Sequence, residues 1–497
     1  MKPGRTLHPL ARLDHAHVWH PFTQMRDWLE REPLVIMSGR GTVLRDQHGR
    51  EYLDANSSIW TNIHGHNHPR LNAALRRQSE RIAHSSALGL ANEPASRLAA
   101  RLVRAANAGP AAPRQARAQT RRAPHPAPGR LEKVFFSDDG STALEVALKL
   151  AYEYSRRRGR GRPRFLSLSG GYHGDTLGAV SLGQIDLFHK NYAGLLFKTD
   201  RVMAPYCYRC PFNRAKPDRA DARETRRCRW ECVDEFERRV AAQRRVGGYA
   251  GFVFEPLIQG AAGMIAQPAG WLRRVAPMAR AAGALLIADE VLTGFGRTGV
   301  AQTGSGGKQA AGSLFACAKE GVRPDFLCAA KGLTGGYLPM AATLTTQAVF
   351  DAFLGRYDEF KTFFHGHSYT GNQLGAAVAL ASLDLLEQPQ TARRLGTLQM
   401  ALARHLRSLW SLPHIGDIRQ AGLMAGIELV RDWRTRQPFE LREQAGIRVC
   451  DAMRRRGVLT RPIGNVIVLM PPYCTTEAQL GAMTAALHDA IAETLDR

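Results

Sequence analysis

LLIADEVLTGFGRTG, residues 285–299, and PDFLCAAKGLTGGYLP, residues 324–339, decide how this chain folds. Each opens on a short apolar run bounded by Gly or Pro, the pattern of a strand buried on both faces. The first run ends in Asp289 and the second leads into Lys331. Strands of any α/β sheet can end in Asp or Lys, because the chain emerges into water there, so the pair gains meaning only from what surrounds it.

Outward from these runs, VFF (134–136), FLSL (165–168) and FVFE (252–255) are further strand candidates, separated by helical stretches such as LEVALKLAYEY (144–154). That alternation predicts an α/β fold with a mostly parallel sheet covered on both faces. Before residue 70 and after about residue 345 the strands shorten and the helices lengthen. Residues 70–345 therefore read as a large domain, and residues 1–69 and 346–497 as a small α+β domain built from both ends. Two low-complexity stretches interrupt the pattern. Residues 105–130, rich in Ala, Pro and Arg, read as a mobile insertion, and residues 301–313, rich in Gly, Ser and Gln, as a second one.

Length and a 44% hydrophobic content suit a large globular enzyme and exclude a fibrous or disordered chain. The N-terminal stretch lacks the uninterrupted apolar core of a secretory signal, and no run is long enough to span a membrane, so a cytoplasmic protein is expected. The formal net charge of +24 raises the possibility of nucleic-acid binding. Residues 105–130, 155–164 and 207–245 supply 16 of those 24 charges, and all three read as loops or helix ends. The first two carry no aromatic residue to stack on bases within their basic runs, so a solvated Arg-rich surface is expected and no nucleic-acid partner.

Eight cysteines are too few for a disulfide scaffold in a chain of this size. Cys207, Cys210, Cys228 and Cys232 form two close pairs that could converge on a zinc ion. The second pair has three intervening residues where zinc ribbons usually have two. Four free thiols in a surface excursion are the alternative, and no metal is expected.

A carboxylate at one strand end can keep a pyridine nitrogen protonated, and a lysine at the next can form a Schiff base with an aldehyde. Asp289 and Lys331 together are what pyridoxal phosphate needs. A phosphate site is legible in SDDGSTALEVALK (137–149), where Gly140 lets the backbone turn while Ser141 and Thr142 open a helix. The unpaired N–H groups of a helix start suit a dianion. In GGYHGDT (170–176), Tyr172 and His173 occupy a Gly-rich turn, where an aromatic ring could stack on a flat heterocycle. Glu255, at the end of FVFE, could order polar groups near that ring or simply face water.

GSTALEVALK, GGYHGDT, LLIADEVLTGFGRTG, AAKGLTGG and HGHSYTGN (365–372) together resemble the class III aminotransferases, pyridoxal phosphate enzymes of fold type I. The resemblance implies that Lys331 carries the cofactor and moves the proton, that Asp289 pairs with the ring nitrogen, and that Tyr172 lies against the ring. It implies that Gly140 and Ser141 take the phosphate, completed by Ser368 from a partner subunit, and hence a homodimer with shared sites. Trp60, Tyr172, Gly366 and Arg461 would contact substrate, with Arg461 gripping a carboxylate.

Within that family, HVWHPFTQM (17–25), SSIWTNIHGHNHP (57–69) and LTRPIGNVIVLMPPY (459–473) resemble the biotin-pathway branch, which aminates 8-amino-7-oxononanoate. Members of that branch using S-adenosylmethionine typically carry two tyrosines and a tryptophan where this chain has Phe22, Val468 and Ile59. S-adenosylmethionine is the expected amino donor and L-lysine the alternative. Another class III ω-aminotransferase, or a pyridoxal phosphate aminomutase, is a more distant one.

Overall fold

The computed structural model describes residues 7–108, 129–161, 163–183, 185–299 and 314–495. Most of the expected Arg-rich insertion, residues 109–128, and all of the second, 301–313, lie outside these residues.

The center is a seven-stranded sheet: β1 (Leu131–Ser137), β2 (Arg164–Leu168), β3 (Asp200–Val202), β4 (Tyr249–Phe254), β5 (Leu285–Asp289), β6 (Phe326–Ala329) and β7 (Ala341–Thr346). Their order in space is β1-β7-β6-β5-β4-β2-β3. From β6 across to β3 every pairing is parallel, and β7 runs antiparallel to both β6 and β1. The expected α/β class and mostly parallel sheet are present, with one reversed strand.

Helix α1 (Gly140–Arg157) covers one face of the sheet. Its Ala143, Val146, Ala147, Leu150 and Tyr154 pack with Ile287 of β5 and Phe326 and Cys328 of β6. The other face is covered by α2 (Glu231–Arg244) and α3 (Trp271–Ala281), whose Phe236, Val240, Trp271 and Val275 meet Phe252 and Leu286. With both faces covered, β4, β5 and β6 are buried along their whole length, which is why they are continuous apolar runs in the sequence.

The expectation that the basic segment 207–245 consists of loops and helix ends needs correction, because α2 is a complete helix within it. Val233, Phe236 and Val240 of α2 face the sheet while Arg238 and Arg239 face water, so charge density there hid an amphipathic period.

Two smaller sheets flank this core. Strands Ile36–Arg40, Val43–Asp46 and Glu51–Asp54 are joined by Val458–Leu459, with Val458 opposite Leu53 in parallel register. Strands Ile415–Ala421, Met424–Asp432, Pro462–Ile463 and Val466–Leu469 belong to a second antiparallel sheet. A single apolar cluster runs from Leu98, Leu131 and Leu327 to Ile427, Leu469 and Leu487, so packing is continuous from the large sheet into the C-terminal part. Among the described residues, no helix is long and apolar enough to cross a membrane.

Candidate active site

β5 and β6 lie side by side with Asp289 opposite Cys328, so both chains emerge at the same edge of the sheet. Asp289 is the last residue of β5, whereas Lys331 stands just past the end of β6 and opens a 3₁₀ turn, Lys331–Thr334. Its φ of 33° puts a non-glycine residue in the left-handed region, a local strain typical of sites where one side chain must be aimed. Among the described residues nothing is hydrogen-bonded to Lys331 Nζ, which sits 5.7 Å from the centroid of the Trp60 ring. Burial holds its pKa below the ordinary lysine value, against the opposing pull of the Asp289, Glu255 and Asp139 carboxylates.

Asp289 is 4% exposed, and both of its oxygens are engaged. Oδ1 accepts the Val291 backbone N–H at 3.1 Å and Oδ2 lies 2.8 Å from His173 Nδ1. Glu255, one residue beyond β4, is equally buried. It accepts backbone N–H groups from Gly260 at 2.8 Å and Tyr172 at 3.3 Å. Burial pushes its carboxyl up to about 7, with His173 acting the other way. Of the two alternatives for Glu255, ordering groups near the site is what the structure places; it does not face water.

The start of α1 forms the third side. Asp139 caps the helix, accepting the Thr142 N–H at 3.0 Å while Thr142 Oγ1 accepts the Asp139 N–H at 3.0 Å. With Thr142 spent on the cap, Gly140 and Ser141 are the first-turn residues whose N–H groups an α-helix leaves unpaired. A Cβ on Gly140 would come within 2.7 Å of Val291 Cγ1, so only glycine lets the helix start so close to β5.

Trp60 reaches the site by an unusual route. Ser57, Ser58, Ile59 and Trp60 have φ of 46, 48, 62 and 73°, a left-handed turn that costs about 1–2 kcal/mol per residue. Side-chain bonds hold it: Ser57 Oγ donates to the Met470 carbonyl at 2.6 Å, Ser58 Oγ to Asp54 at 3.0 Å, and Trp60 Nε1 to Asn56 Oδ1 at 2.8 Å. Beneath it the fully buried Arg297, from the GFGRTG motif, reaches the carbonyls of Trp60 and Asn62 at 3.5 and 3.4 Å.

These groups enclose a cavity of about 440 Å³ whose wall includes Lys331, Asp289, Tyr172, Gly140, Ser141 and Trp60. The unpartnered amine, the held carboxylate, the helix start and an aromatic wall are the donor set that pyridoxal phosphate requires, so the residues fit the group. Gly366, Ser368 and Arg461 are not brought to this wall. Open space surrounds Gly366, where the nearest atom to an added Cβ is 3.9 Å away, and the Ser368 carbonyl lies 2.7 Å from His84 Nε2. Arg461 is exposed and donates to the Phe22 carbonyl at 3.3 Å.

Of the three departures tied to the amino donor, Phe22 and Ile59 are 55% and 45% exposed, but Val468 is 1% exposed. It packs in an apolar cluster with Met264, Leu292 and Met470 beneath Trp60, and so supports the wall without lining it. Phe188 has no counterpart among the sequence expectations. Its ring centroid stands 5.3 Å from that of Phe22 and 6.5 Å from that of Tyr172. Nothing in IDLFHK marks it, because its contacts with Phe22 and Tyr172 are made only in the folded chain. His173 was visible only as the neighbor of Tyr172.

The four clustered cysteines line one small apolar cavity, with Arg226 donating to Cys228 Sγ at 3.2 Å. All are free thiols, and among the described residues no group of three or more ligand side chains is placed to hold a metal.

The family described as Aminotransferase class-III matches residues 26–491. The chain is a class III aminotransferase. It is 46% identical over 490 residues to the adenosylmethionine-8-amino-7-oxononanoate aminotransferase of Geobacter sulfurreducens, covering 98% of both chains. Against the enzyme of the same name from Nitratidesulfovibrio vulgaris it is 48% identical over 488 residues, covering 97% of this chain and 81% of that one. The crystal structure of the Methanocaldococcus jannaschii enzyme of that name superposes with a TM-score of 0.83 at 38% identity, covering 98% of this chain and 99% of that one. A pyridoxal phosphate-bound amine transaminase from an uncultivated Pseudomonas species gives 0.81 at 34% identity, covering 96% and 98%. As a class III aminotransferase the chain uses pyridoxal 5′-phosphate, and its α/β architecture is that of fold type I.

Proposed function

We propose that this aminotransferase converts 8-amino-7-oxononanoate to 7,8-diaminononanoate, a step of biotin formation, with S-adenosylmethionine as amino donor. What carries this reading is the near full-length likeness to enzymes of that name, set on a cavity where Lys331 and Asp289 face the start of α1. Pyridoxal phosphate, when bound, supplies an electron sink for the carbon that loses its proton.

The chain's own residues do the rest. Lys331 Nζ would hold the cofactor and move the proton at the reacting carbon; its lowered pKa favors the free amine that both tasks need. Asp289, held by His173 and Val291, would pair with the cofactor's ring nitrogen and keep it protonated. Gly140 and Ser141 N–H groups take the phosphate at the positive end of the α1 dipole. Tyr172 and Trp60 wall the ring and exclude water. Arg461, outside the cavity wall and beside Phe22 at the exposed rim, would have to swing from the Phe22 carbonyl to grip the carboxylate of the acceptor with paired guanidinium donors.

Donor and acceptor use the same cavity in turn. Ser368 and Gly366, away from the wall of their own chain, serve the site of a second copy, so the enzyme works as a homodimer with shared sites in the cytoplasm. Residues 70–345 form its large domain and the two chain ends its small one.

L-lysine is the second reading, favored by Phe22 and Ile59, which offer neither the phenol nor the indole expected around a sulfonium nucleoside. The test is a half-reaction on the purified holoenzyme, following the absorbance of the bound cofactor with each donor. S-adenosylmethionine should bleach the band; bleaching by lysine alone would replace the first reading with the second.

A further inference from the structure

We propose that Cys228 is a site of reversible oxidation: its thiol reacts with a peroxide and then closes a disulfide with Cys207, stapling the excursion between β3 and α2. No residue bordering this thiol cluster belongs to the wall of the cofactor cavity.

Residues 203–230 leave the central sheet after β3, reach the C-terminal antiparallel sheet and return at α2. Arg209 Nη2 donates to Glu428 Oε1 at 2.7 Å, and the Ala222 N–H donates to Asp417 Oδ1 at 3.2 Å. The excursion is thereby anchored on strands Met424–Asp432 and Ile415–Ala421. Its two limbs are tied to each other by Asn213, whose Nδ2 donates to the Cys207 carbonyl at 2.9 Å while Oδ1 accepts the Arg227 N–H at 2.9 Å. One side chain thus joins the backbone of Cys207 to the residue before Cys228. Both cysteines, with Cys210 and Cys232, border a cavity of about 20 Å³, room for about one water molecule. Cysteines around so small a void are within side-chain reach of one another.

The four thiols are not equivalent. Burial pushes Cys207 and Cys232 up to about 12 and raises Cys210 as well, so these thiols keep their protons and are poor first nucleophiles. Cys228 is half-buried, and among the described residues it is the only one of the four whose sulfur accepts a hydrogen bond from a charged group, Arg226 Nη1 at 3.2 Å. The guanidinium is held in turn over the Trp230 ring, 4.1 Å from its centroid. A thiolate is the form that reacts, and a fixed guanidinium is the partner that form takes. Of the other three thiols, Cys228 acts most strongly on Cys207, which marks Cys207 as the one that resolves the first product.

The chemistry needs one oxidant, a peroxide. The Cys228 thiolate attacks one peroxide oxygen, the O–O bond breaks, and the hydroxide that leaves takes up a proton as water. Cys207 then attacks the sulfenic sulfur: an S–S bond forms, the S–O bond breaks, and the departing hydroxide removes the Cys207 proton as water. Two electrons pass from sulfur to oxygen, and a dithiol reverses the product by exchange.

The experiment treats reduced holoenzyme with equimolar hydrogen peroxide and maps the thiols by alkylation and peptide mass spectrometry. A Cys207–Cys228 cross-link that dithiothreitol removes is the expected product. Cys228→Ser should abolish that link and slow peroxide consumption about tenfold. Cys207→Ser should stop at a sulfenic acid on Cys228, captured by dimedone. Arg226→Gln should slow the link about 3- to 10-fold without changing its identity. Retained cofactor absorbance shows that each variant is folded, and the map of the unaltered chain decides the pairing without any variant. A different pair, an unmodified Cys228, no extra sulfenic acid in Cys207→Ser, or an unchanged rate in Arg226→Gln overturns the proposal. So does about one zinc ion per chain with all four thiols unreactive until a chelator is added, since the cluster would then be a metal site.

Discussion

The floor of the site and its rim are built in opposite ways. Lys331, Asp289, Gly140 and Tyr172 follow the ends of β6, β5, β1 and β2, strands of one sheet, of which β5 and β6 are buried along their whole length. Phe22, Ile59 and Arg461 come from distant parts of the chain and are exposed; Ile59 lies in a left-handed turn, and Arg461 donates to the Phe22 carbonyl. A sheet edge fixes relative positions within fractions of an ångström, as catalysis of a proton transfer demands. A rim made of loops can change its residues without moving the floor, and substrate choice is the property that such a rim can vary.

The sharpest way to break this contrast is at the floor. Lys331→Ala should lower turnover by about four orders of magnitude or more and abolish the absorbance of lysine-bound cofactor; a variant that keeps that absorbance and turns over would dissolve the distinction. Asp289→Asn should cost roughly 100- to 1000-fold in turnover, since one oriented charge is lost while the cavity shape remains.

At the rim the effects should be smaller and selective. Arg461→Ala should raise KM for 8-amino-7-oxononanoate about 10- to 100-fold with cofactor binding unchanged, as steady-state kinetics and cofactor titration can check. Phe22→Tyr should shift the ratio of S-adenosylmethionine to lysine use about two- to tenfold toward the sulfonium donor, with no change in cofactor binding. A change in both would mean that rim and floor are coupled.

Glu255 gives the smallest effect, read as stability. Its folded carboxyl is raised to about 7 from 4.5, so between those values the folded chain binds more protons than the unfolded one. Stability from this group is complete below pH 4.5 and is lost as pH rises through about 7. Glu255→Gln should flatten that part of the denaturation profile of the apoprotein by no more than about 1.4 kcal/mol per pH unit. A profile that keeps its slope would show that other groups set it.

The same contrast explains what was legible in the sequence. β4, β5 and β6 announce themselves because burial on both faces demands uninterrupted apolar runs, and Asp289 and Lys331 are conspicuous where those runs stop. β7 does not, because AATLTT reads as polar. Its threonines are tolerated in the core because Thr343 and Thr345 hydroxyls donate to the carbonyls of Ala143 and Asp325 at 2.7 and 3.1 Å. β3 is too short to carry a pattern, and α2 is masked by its arginines. At the site, Phe188 and His173 are matters of tertiary placement: Phe188 meets Phe22, and His173 meets Asp289, across long stretches of sequence.

The reversed strand also bears on the order of assembly. Among the described residues β1 pairs only with β7, from Leu131 opposite Thr346 to Ser137 opposite Ala341, so as a growing chain leaves the ribosome β1 has no such neighbor in the sheet until Thr346 has emerged. The start of α1, three residues beyond the end of β1, waits with it. Lys331 is synthesized shortly before that closing strand, so the phosphate platform and the lysine become usable almost together. Such long-range closure is slow and leaves an unpaired edge exposed meanwhile. Cofactor present during synthesis would then have nothing to bind until the last strand of the sheet is in place, which makes the holoenzyme a late product of folding rather than its template.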